Sequence, residues 1–367
     1  MADRPTPVET ADQVRVERRG AAVVITIARG GALNALTPAM LGVLASTYPA
    51  LARDPNIYIV ILKSADPKAF SAGGDMRLLC SSARRDLPAA KAAVRAEYAL
   101  NWLHECFSKP SVALIDGLVM GSGAGISAYA THRVAGPRYR FAMPETAIGY
   151  FPDVGMAHVL ARLPHRIGHY LGLTGASIGR ADAYRLGLVT HCLEPAQFAD
   201  LEVGLAGAMP VDPLLDDRHT EPGPGDVVPF AGIIAHCFEP SSVEEIMRRL
   251  ALVKGAGQDF AAATLAQLRH NAPTALKVTL LHLREAAALD LRQTLEADYR
   301  LACRFLEAPD VFEGVRAALI DKDGAPRWSP ASLADVTENT LNDYFAPLPP
   351  GQELNLPMRQ DMQALRV

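Results

Sequence analysis

The sequence has few of the features that mark a secreted or metal-binding protein. Its five cysteines are scattered over 367 residues and form no C-x-x-C pair, and its ten histidines show no spacing typical of metal ligands. An odd number of isolated cysteines is typical of reduced thiols in a protein of the cytoplasm. We therefore predict a cytoplasmic protein without disulfides and without a metal site.

Strong charge and long apolar runs are also missing. The net charge is only −4, so no basic field points to a nucleic acid or an anionic membrane. No apolar run approaches the ~18 to 20 residues that a membrane-spanning helix needs. The opening MADRPTPVETADQ has neither the apolar segment of a secretory signal nor the arginines of a transit peptide. We expect residues 1–12 to be a disordered tail.

What the chain does contain is an alternation of apolar strands and helices. Residues 13–18 and 22–28 predict a hairpin. Thr37-Pro38 is typical of a helix start, with threonine as N-cap and proline in the first turn, and this helix should run to about residue 53. Residues 58–62 then predict a buried strand. Strands and helices in this order favour an α/β fold.

One change in composition divides the chain. Residues 209–230 hold five prolines and two glycines, which excludes one continuous helix or strand. We interpret this segment as a loop between a core at residues 13–208 and a C-terminal helical region at residues 231–346. Residues 347–367 are polar and predict a loosely held tail.

Residues 110–155 carry the strongest functional pattern. An apolar strand at 112–115 leads into a glycine-rich turn centred on Ser122, followed by a predicted helix at 126–131. Glu145 follows Pro144, and Asp153 comes eight residues later. Backbone amides, a helix start and two carboxylates are the groups that polarise a carbonyl and move protons beside it. A helix cap or a surface ion pair is the structural alternative for both acids.

A second glycine pair follows the strand near residue 70. Gly73-Gly74 allows backbone conformations that other residues resist, and Asp75 is placed to cap a helix from Met76. The functional interpretation is that the Gly74 amide points into a site at the helix start. The alternative is a plain turn between strand and helix. Glu97, in a helix predicted from residue 87 to 108, would by itself be a solvated charge.

Two other chemistries fit the pattern less well. A serine hydrolase needs G-x-S-x-G, but Met120 and Ala124 flank Ser122 in place of the glycines. Residues 123–128 fit G-x-G-x-x-A of dinucleotide-binding folds, with Glu145 as the acid. In those folds the acid ends the strand directly after the helix, whereas Glu145 lies beyond a further extended piece at 139–141.

The sequence resembles the crotonase (enoyl-CoA hydratase/isomerase) superfamily over roughly residues 13–345. Three phrases match the superfamily, and two longer ones match a branch of acyl-CoA hydrolases within it. They are ALNAL (32–36), KAFSAGGD (68–75) and MGSGAGIS (120–127), then FAMPETAIGYFPDVG (141–155) and FEGVRAALIDKDGAPRW (312–328). The resemblance implies a crotonase-like α/β fold, a spiral of repeated ββα units with a C-terminal helical region.

The same resemblance implies an oxyanion hole and a departure from the hydratases. Two backbone amides of the superfamily bind the thioester oxygen, and they match Gly74 and Ser122. Enoyl-CoA hydratases place catalytic glutamates at the positions of Gly125 and Glu145. With glycine at the first position, hydration of a double bond is disfavoured. The hydrolases usually have glycine at Ser122, whose side chain can crowd the acyl group.

In the hydrolase branch, the retained glutamate is paired with an aspartate. These residues match Glu145 and Asp153, and an acid matching Glu97 contacts the substrate, as we expect for Gly121. Glu145 would attack the carbonyl to form a mixed anhydride or activate water. Asp153 would hold a substrate hydroxyl or protonate the leaving thiolate.

The resemblance therefore implies hydrolysis of 3-hydroxyisobutyryl-CoA to 3-hydroxyisobutyrate and CoA, a step of valine breakdown. No cofactor is expected, because CoA is part of the substrate. Lys68 and Arg77 are candidates to bind its phosphates. The alternatives are a hydratase or isomerase of the same fold, and a non-catalytic acyl-CoA binding protein with Ser122 in the oxyanion hole. Superfamily members often form trimers or pairs of trimers, so the resemblance is compatible with a homo-oligomer, and the sequence itself leaves the oligomeric state open.

Overall fold

A computed structural model describes residues 10–365. Within this part of the chain, ten strands form two sheets. The strands are β1 (Val14–Arg19), β2 (Ala22–Ile27), β3 (Ile59–Ser64), β4 (Ala69–Ser71), β5 (Ser111–Ile115), β6 (Leu118–Met120), β7 (His132–Ala135), β8 (Arg140–Ala142), β9 (Ile178–Gly179) and β10 (His191–Cys192).

The two sheets are built from repeated units. The larger sheet has the order β1-β2-β3-β5-β7-β10, and the smaller one has the order β4-β6-β8-β9. β1 and β2 are antiparallel, as the predicted hairpin requires, whereas β2, β3, β5, β7 and β10 run parallel. The pairs β3–β4, β5–β6 and β7–β8 each place one strand in each sheet. This is the ββα repetition that the resemblance implies.

Helices surround the sheets and make up the C-terminal half. They are α1 (Thr10–Gln13), α2 (Pro38–Arg53), α3 (Met76–Arg85), α4 (Leu87–Cys106), α5 (Ser122–Gly125), α6 (Met156–Ala161), α7 (Ile167–Thr174), α8 (Arg180–Arg185), α9 (Ala196–Ala206), α10 (Val211–Asp216), α11 (Ala231–Cys237), α12 (Val243–Leu252), α13 (Gln258–His270), α14 (Pro273–Ala286), α15 (Leu291–Phe305), α16 (Pro309–Val315), α17 (Glu338–Phe345) and α18 (Arg359–Ala364). Short 3₁₀ turns include Glu145–Ile148, and Arg316–Ile320 extends α16 as a π-helical turn.

Local sequence explains several of these starts. The Thr37 hydroxyl accepts a hydrogen bond from the Met40 amide at 3.2 Å, and Pro38 occupies the first turn of α2. The carboxylate of Asp75 accepts from the Leu78 amide at 3.1 Å and caps α3. Both caps are those that the sequence predicts.

Both faces of the larger sheet are buried along its central strands β2, β3 and β5, whereas the edge strand β1 is mostly exposed. Along β2, Val23, Ile25 and Ile27 join the main core, whereas Ala22 and Val24 join a second apolar cluster on the opposite face. Helices α9 and α10 cover that second face. Burial on both sides explains why β2, β3 and β5 are mostly apolar and do not alternate between apolar and polar residues.

Several predicted boundaries differ from the structure. The helix after the glycine-rich turn lies on the turn itself, as α5, and residues 126–131 form turns. The 209–230 segment includes the short helix α10, whose Leu214 and Leu215 are buried. Residues 10–12 of the predicted tail begin α1, and residues 1–9 lie outside the described residues.

The C-terminal segment is packed, contrary to the prediction of a loose tail. Leu354 and Leu356 are buried, the Trp102 indole donates to the Pro357 carbonyl at 2.9 Å, and Arg95 donates to the Glu353 carbonyl at 2.9 Å. Leu348, Leu354 and Leu356 join the main apolar core despite the polar composition of this segment. Within residues 10–365, no helix is both long and apolar enough to cross a bilayer.

Candidate active site

A cavity of about 350 Å³ opens where the two sheets meet α3, α4 and α5. Its lining includes six residues that the sequence predicts, which are Gly74, Glu97, Gly121, Ser122, Glu145 and Asp153. Its apolar wall includes Leu36, Leu41, Met120 and, from the π-helical turn after α16, Leu319. The C-terminal helical region thus contributes to the same cavity as the core.

Gly74 is held by hydrogen bonds that radiate from Asn34. The Asn34 amide group donates to the carbonyls of Ala69 and Phe70 at 3.2 and 3.1 Å, and the Ser71 hydroxyl donates to the Asn34 carbonyl at 2.9 Å. Asn34 is fully buried, which explains a polar residue within the apolar ALNAL phrase. These bonds fix the end of β4, from which the chain turns through Gly74.

Ser122 begins α5, immediately after Gly121. The first amides of a helix have no acceptor within the helix. In the described part of the chain, neither the Ser122 amide nor the Gly74 amide donates to a backbone carbonyl. The two residues are adjacent, since a Cβ atom added at Gly74 would lie 2.9 Å from the Ser122 Oγ. Two free amides at one end of the cavity are suited to bind one oxygen.

Glu145 begins a 3₁₀ turn and faces the cavity beside Gly121. A Cβ atom added at Gly121, which has a positive φ of 43°, would lie 2.9 Å from Glu145 Oε1. Only glycine therefore allows the carboxyl group this position. Burial raises the pKa of Glu145 to about 8, and Oε2 is buried without a partner among the described residues.

Asp153 faces the same cavity from the loop before α6. The Tyr98 hydroxyl donates to Asp153 Oδ2 at 2.7 Å. Burial, and then the charges of Glu97 and Glu145, raise the pKa of Asp153 well above its ordinary value. The aspartate therefore holds a proton under conditions in which a solvent-exposed aspartate has lost it.

Glu97 projects from α4 into the cavity. Burial of its carboxyl raises its pKa to about 7, a shift that the nearby Ser122 hydroxyl partly offsets. Oε1 is shielded from solvent and has no partner among residues 10–365. A buried acceptor without a partner is costly unless a ligand supplies a donor. The placement differs from the solvated charge that the helix pattern alone suggests.

The position of the missing glutamate is closed. A Cβ atom added at Gly125 would lie 2.8 Å from the Val154 Cβ and 2.9 Å from the Asn101 Nδ2. A glutamate at residue 125 would therefore displace both neighbours. The structure thus has no room for a glutamate at residue 125, the position to which the resemblance assigns the second glutamate of the hydratases.

Lys68 and Arg77 do not line this cavity. The arginines Arg29 and Arg85 line a neighbouring cavity of about 400 Å³. Arg29 forms a 2.9 Å ion pair with Asp75, the cap of α3. The proposed role of Lys68 and Arg77 in binding CoA phosphates stays a prediction.

Sequence reasoning did not identify Tyr98 and Tyr150 as part of the site. Both are buried, and their hydroxyls lie 3.4 Å apart beside Asp153. Tyr98 directly follows Glu97 in α4, and Tyr150 lies within the FAMPETAIGYFPDVG phrase. That phrase marks Tyr150 as a candidate, but the contact between Tyr98 and Asp153 depends on the tertiary fold.

Glu145→Gln is predicted to stabilise the fold at alkaline pH. Because the folded-state pKa is raised to about 8, the stability associated with protonated Glu145 is complete below the ordinary glutamate pKa and is lost as pH rises through about 8. Glutamine does not ionise, so we expect the variant to exceed wild type by on the order of 2 to 4 kcal/mol at about pH 9. Urea unfolding at about pH 5 and pH 9 measures the difference. A difference that does not grow with pH would contradict the buried, titrating carboxyl.

The family described as enoyl-CoA hydratase/isomerase matches residues 22–345. The chain belongs to this family and is one of its enzymes. It is 38% identical over 353 residues to the mitochondrial 3-hydroxyisobutyryl-CoA hydrolase of Homo sapiens, covering 93% of this chain and 90% of that protein. The mitochondrial enzyme of the same name from Xenopus tropicalis is 39% identical over 344 residues, which cover 90% of this chain and 88% of that protein.

Solved structures confirm the fold. A carnitinyl-CoA dehydratase from Mycobacterium thermoresistibile matches with a TM-score of 0.88 and 33% identity, covering 94% of this chain and 98% of that one. An enoyl-CoA hydratase from Rhodobacter sphaeroides matches with a TM-score of 0.86 and 35% identity, covering 94% of this chain and all of that one (100%). The crotonase-like α/β fold and the family resemblance predicted from the sequence are both confirmed.

Proposed function

We propose that the protein hydrolyses the thioester of 3-hydroxyisobutyryl-CoA to 3-hydroxyisobutyrate and CoA. The observation that carries the proposal is one cavity in which, among the described residues, two backbone amides and one oxygen each of Glu97 and Glu145 have no hydrogen-bond partner, together with the closed position at Gly125. Relatives that carry the name of this hydrolase over most of their length support the same reaction.

The free amides of Gly74 and Ser122 are proposed to bind the thioester oxygen. Negative charge grows on that oxygen when the carbonyl carbon becomes tetrahedral. Amides that already point at it stabilise the transition state by about 3 to 4 kcal/mol per donor. No side chain has to move or ionise for this stabilisation.

Glu145 and Asp153 are proposed to divide the proton chemistry. The Glu145 carboxylate bonds to the carbonyl carbon, or takes a proton from a water that does so. The carbon–sulfur bond then breaks, and the thiolate takes the proton that Asp153 holds because of its raised pKa. If a mixed anhydride forms with Glu145, water cleaves it to release the acid. The reaction consumes one water and no cofactor, since CoA belongs to the substrate.

Glu97 is proposed to accept a hydrogen bond from the substrate hydroxyl. Its Oε1 has no other partner among the described residues. An acyl group without a hydroxyl would leave this buried oxygen unpaired. We therefore expect isobutyryl-CoA, which has the same carbon skeleton, to be hydrolysed with a kcat/KM about 10- to 100-fold lower.

Thiol release from the two thioesters, measured side by side, tests this specificity. A Glu97→Gln variant serves as the matched change on the protein side, and its preference for the hydroxylated substrate should shrink. Equal rates with both substrates in wild type would remove Glu97 from the proposed role, while leaving thioester hydrolysis itself in place.

The pH dependence follows from Glu145. Its carboxylate is the reactive form, so protonation as pH falls below about 8 should lower kcat/KM. We expect kcat/KM to rise about tenfold per pH unit below that value and to level off near it. Initial rates from about pH 5.5 to 9.5 measure this rise of kcat/KM with pH. If kcat/KM instead levels off near the ordinary pKa of glutamate, a different group controls the rate.

A hydratase is the second candidate, because the two solved structures above are named as a hydratase and a dehydratase. Crotonyl-CoA distinguishes the two reactions, since hydration removes the double bond and leaves the thioester intact. We expect no hydration, because Gly125 cannot supply the second carboxylate. A non-catalytic binding protein would bind the thioester and release no product.

Three further properties stay predictions. A cytoplasmic location follows from the sequence, although the relatives named above are mitochondrial. The absence of nucleic-acid partners follows from the balanced charge. A homo-oligomer follows from the resemblance to the superfamily, and gel filtration with light scattering measures it.

A further inference from the structure

A buried acid–base pair lies behind the cavity, in the C-terminal helical region. His282 of α14 and Asp298 of α15 are 1% and 0% exposed, and His282 Nε2 lies 2.6 Å from Asp298 Oδ1. Neither residue lines the cavity. Burial is costly for a carboxylate unless both of its oxygens are hydrogen-bonded. The second oxygen of Asp298 must therefore also have a partner.

That second oxygen reaches the loop that carries Asp153. The Gly155 amide donates to Asp298 Oδ2 at 2.7 Å. Gly155 lies two residues after Asp153, so the bond fixes the backbone on which the proposed proton donor is mounted. His282 occupies the other oxygen and thereby holds the Asp298 carboxylate in the orientation that this bond requires.

The loop needs such support because its conformation is unfavourable. Val154 has a positive φ of 53°, which a β-branched residue rarely adopts. The Tyr129 hydroxyl donates to the Val154 carbonyl at 2.6 Å. Asp298 of α15 and Tyr129 of the turns after α5 thus hold the two ends of the peptide group between Val154 and Gly155. Strained backbone persists only where its surroundings enforce it.

We propose that Asp298, oriented by His282, is a positioning residue that sets the place of Asp153 in the cavity. Through it, α14 and α15 act on the geometry of the reaction as well as covering the core. This inference rests on the proposed role of Asp153 in thioester hydrolysis. It assigns a function to two buried polar residues that lie outside the five phrases matching the superfamily.

Substitutions at Asp298 separate positioning from packing. Asp298→Ala removes the acceptor for Gly155, and we expect kcat to fall about 10- to 100-fold while KM changes less than about threefold. Asp298→Asn retains a carbonyl oxygen for the same amide and should recover most of the lost kcat. Tyr129→Phe releases the loop from the other side without disturbing an acid, and should lower kcat about three- to tenfold.

Asp182 provides a matched control. It is 1% exposed, and its carboxylate accepts from the amides of Asp226, Val227 and Val228, at a distance from the cavity lining. Asp182→Ala should lower the melting temperature without lowering kcat. If the Asp298 and Tyr129 variants lose no more kcat than Asp182→Ala, or if Asp298→Asn recovers nothing over Asp298→Ala, the positioning role is wrong.

Hydrogen exchange keeps this test independent of the reaction. In Asp298→Ala the Gly155 amide should exchange faster than in wild type, whereas Asp182→Ala should leave it protected. Wild-type protein that releases no CoA from any thioester would refute the proposed function. In that case, unchanged exchange at Gly155 would also overturn the support of the loop by Asp298, and faster exchange would uphold it.

Discussion

Glu145→Gln is expected to lower the rate of CoA release by about 10³- to 10⁴-fold. Glutamine has the same shape and fits the same pocket beside Gly121. It neither attacks a carbonyl nor takes a proton from water, so the oxyanion hole and substrate binding are all that remain. Steady-state thiol release at about pH 8.5, where wild-type Glu145 is ionised, measures the full difference.

Glu202→Gln is the control for this substitution. Glu202 has the same 8% exposure as Glu145, but it lies on α9 and forms a 2.6 Å ion pair with Lys63. We expect the control variant to keep its rate within about twofold and to lose stability, because Lys63 loses its partner. Glu145→Gln should instead lose most of its rate and gain stability at alkaline pH. A Glu145→Gln enzyme that retains a tenth of the wild-type rate would exclude the role proposed for this residue.

Asp153→Asn is expected to lower CoA release by about 10²- to 10³-fold. The asparagine amide still accepts the hydrogen bond from Tyr98, so the local structure is preserved. It cannot transfer a proton to the departing thiolate, which then leaves as an unstabilised anion. The pKa of Asp153, raised by burial and by Glu97 and Glu145, is what keeps that proton available in wild type.

The leaving group distinguishes this role from others. A thiophenyl ester of 3-hydroxyisobutyrate releases a more acidic thiol that needs no proton. We expect this ester to restore much of the rate in Asp153→Asn and none in Glu145→Gln. If both variants respond alike, Asp153 does not act on the thiolate, and binding of the substrate hydroxyl becomes its role.

The parts of the fold that depend on neighbouring residues can be predicted from the sequence. The Thr37 and Asp75 caps, the β1–β2 hairpin and the parallel strands depend on local hydrogen bonds and on apolar runs. Glu145 and Asp153 also follow from one short phrase, since eight residues of chain keep them near each other. The amino-acid sequence of this phrase is specific enough to assign both residues to one site.

Other features depend on contacts between distant parts of the chain. Helix α5 forms on Ser122–Gly125, although glycine has a low helix propensity. Ser71 and Val154 pack so closely against residues 123 and 125 that only glycine fits at these two positions. The partner of Asp153, Tyr98, lies 55 residues away in the sequence. The spacing of residues in a helix or strand does not indicate contacts between residues this far apart in the chain.

The C-terminal region shows the same limit. Its helices can be predicted from their apolar periodicity, but the bond between Asp298 and Gly155 spans 143 residues. The polar composition of residues 347–367 favours a loose tail, whereas the buried side chains of Leu348, Leu354 and Leu356 attach this segment to the core. The average composition of a segment does not show whether a few of its apolar residues are placed where they can be buried.

The most direct test of thioester hydrolysis is the chemical fate of 3-hydroxyisobutyryl-CoA. The purified protein is incubated with the thioester, and free CoA, free 3-hydroxyisobutyrate and remaining thioesters are quantified by mass spectrometry. We expect CoA and the hydroxy acid to appear in equal amounts as the thioester disappears, and Glu145→Gln to stop both. Loss of water from the acyl group with CoA still attached would contradict hydrolysis, and would assign the cavity to a hydratase.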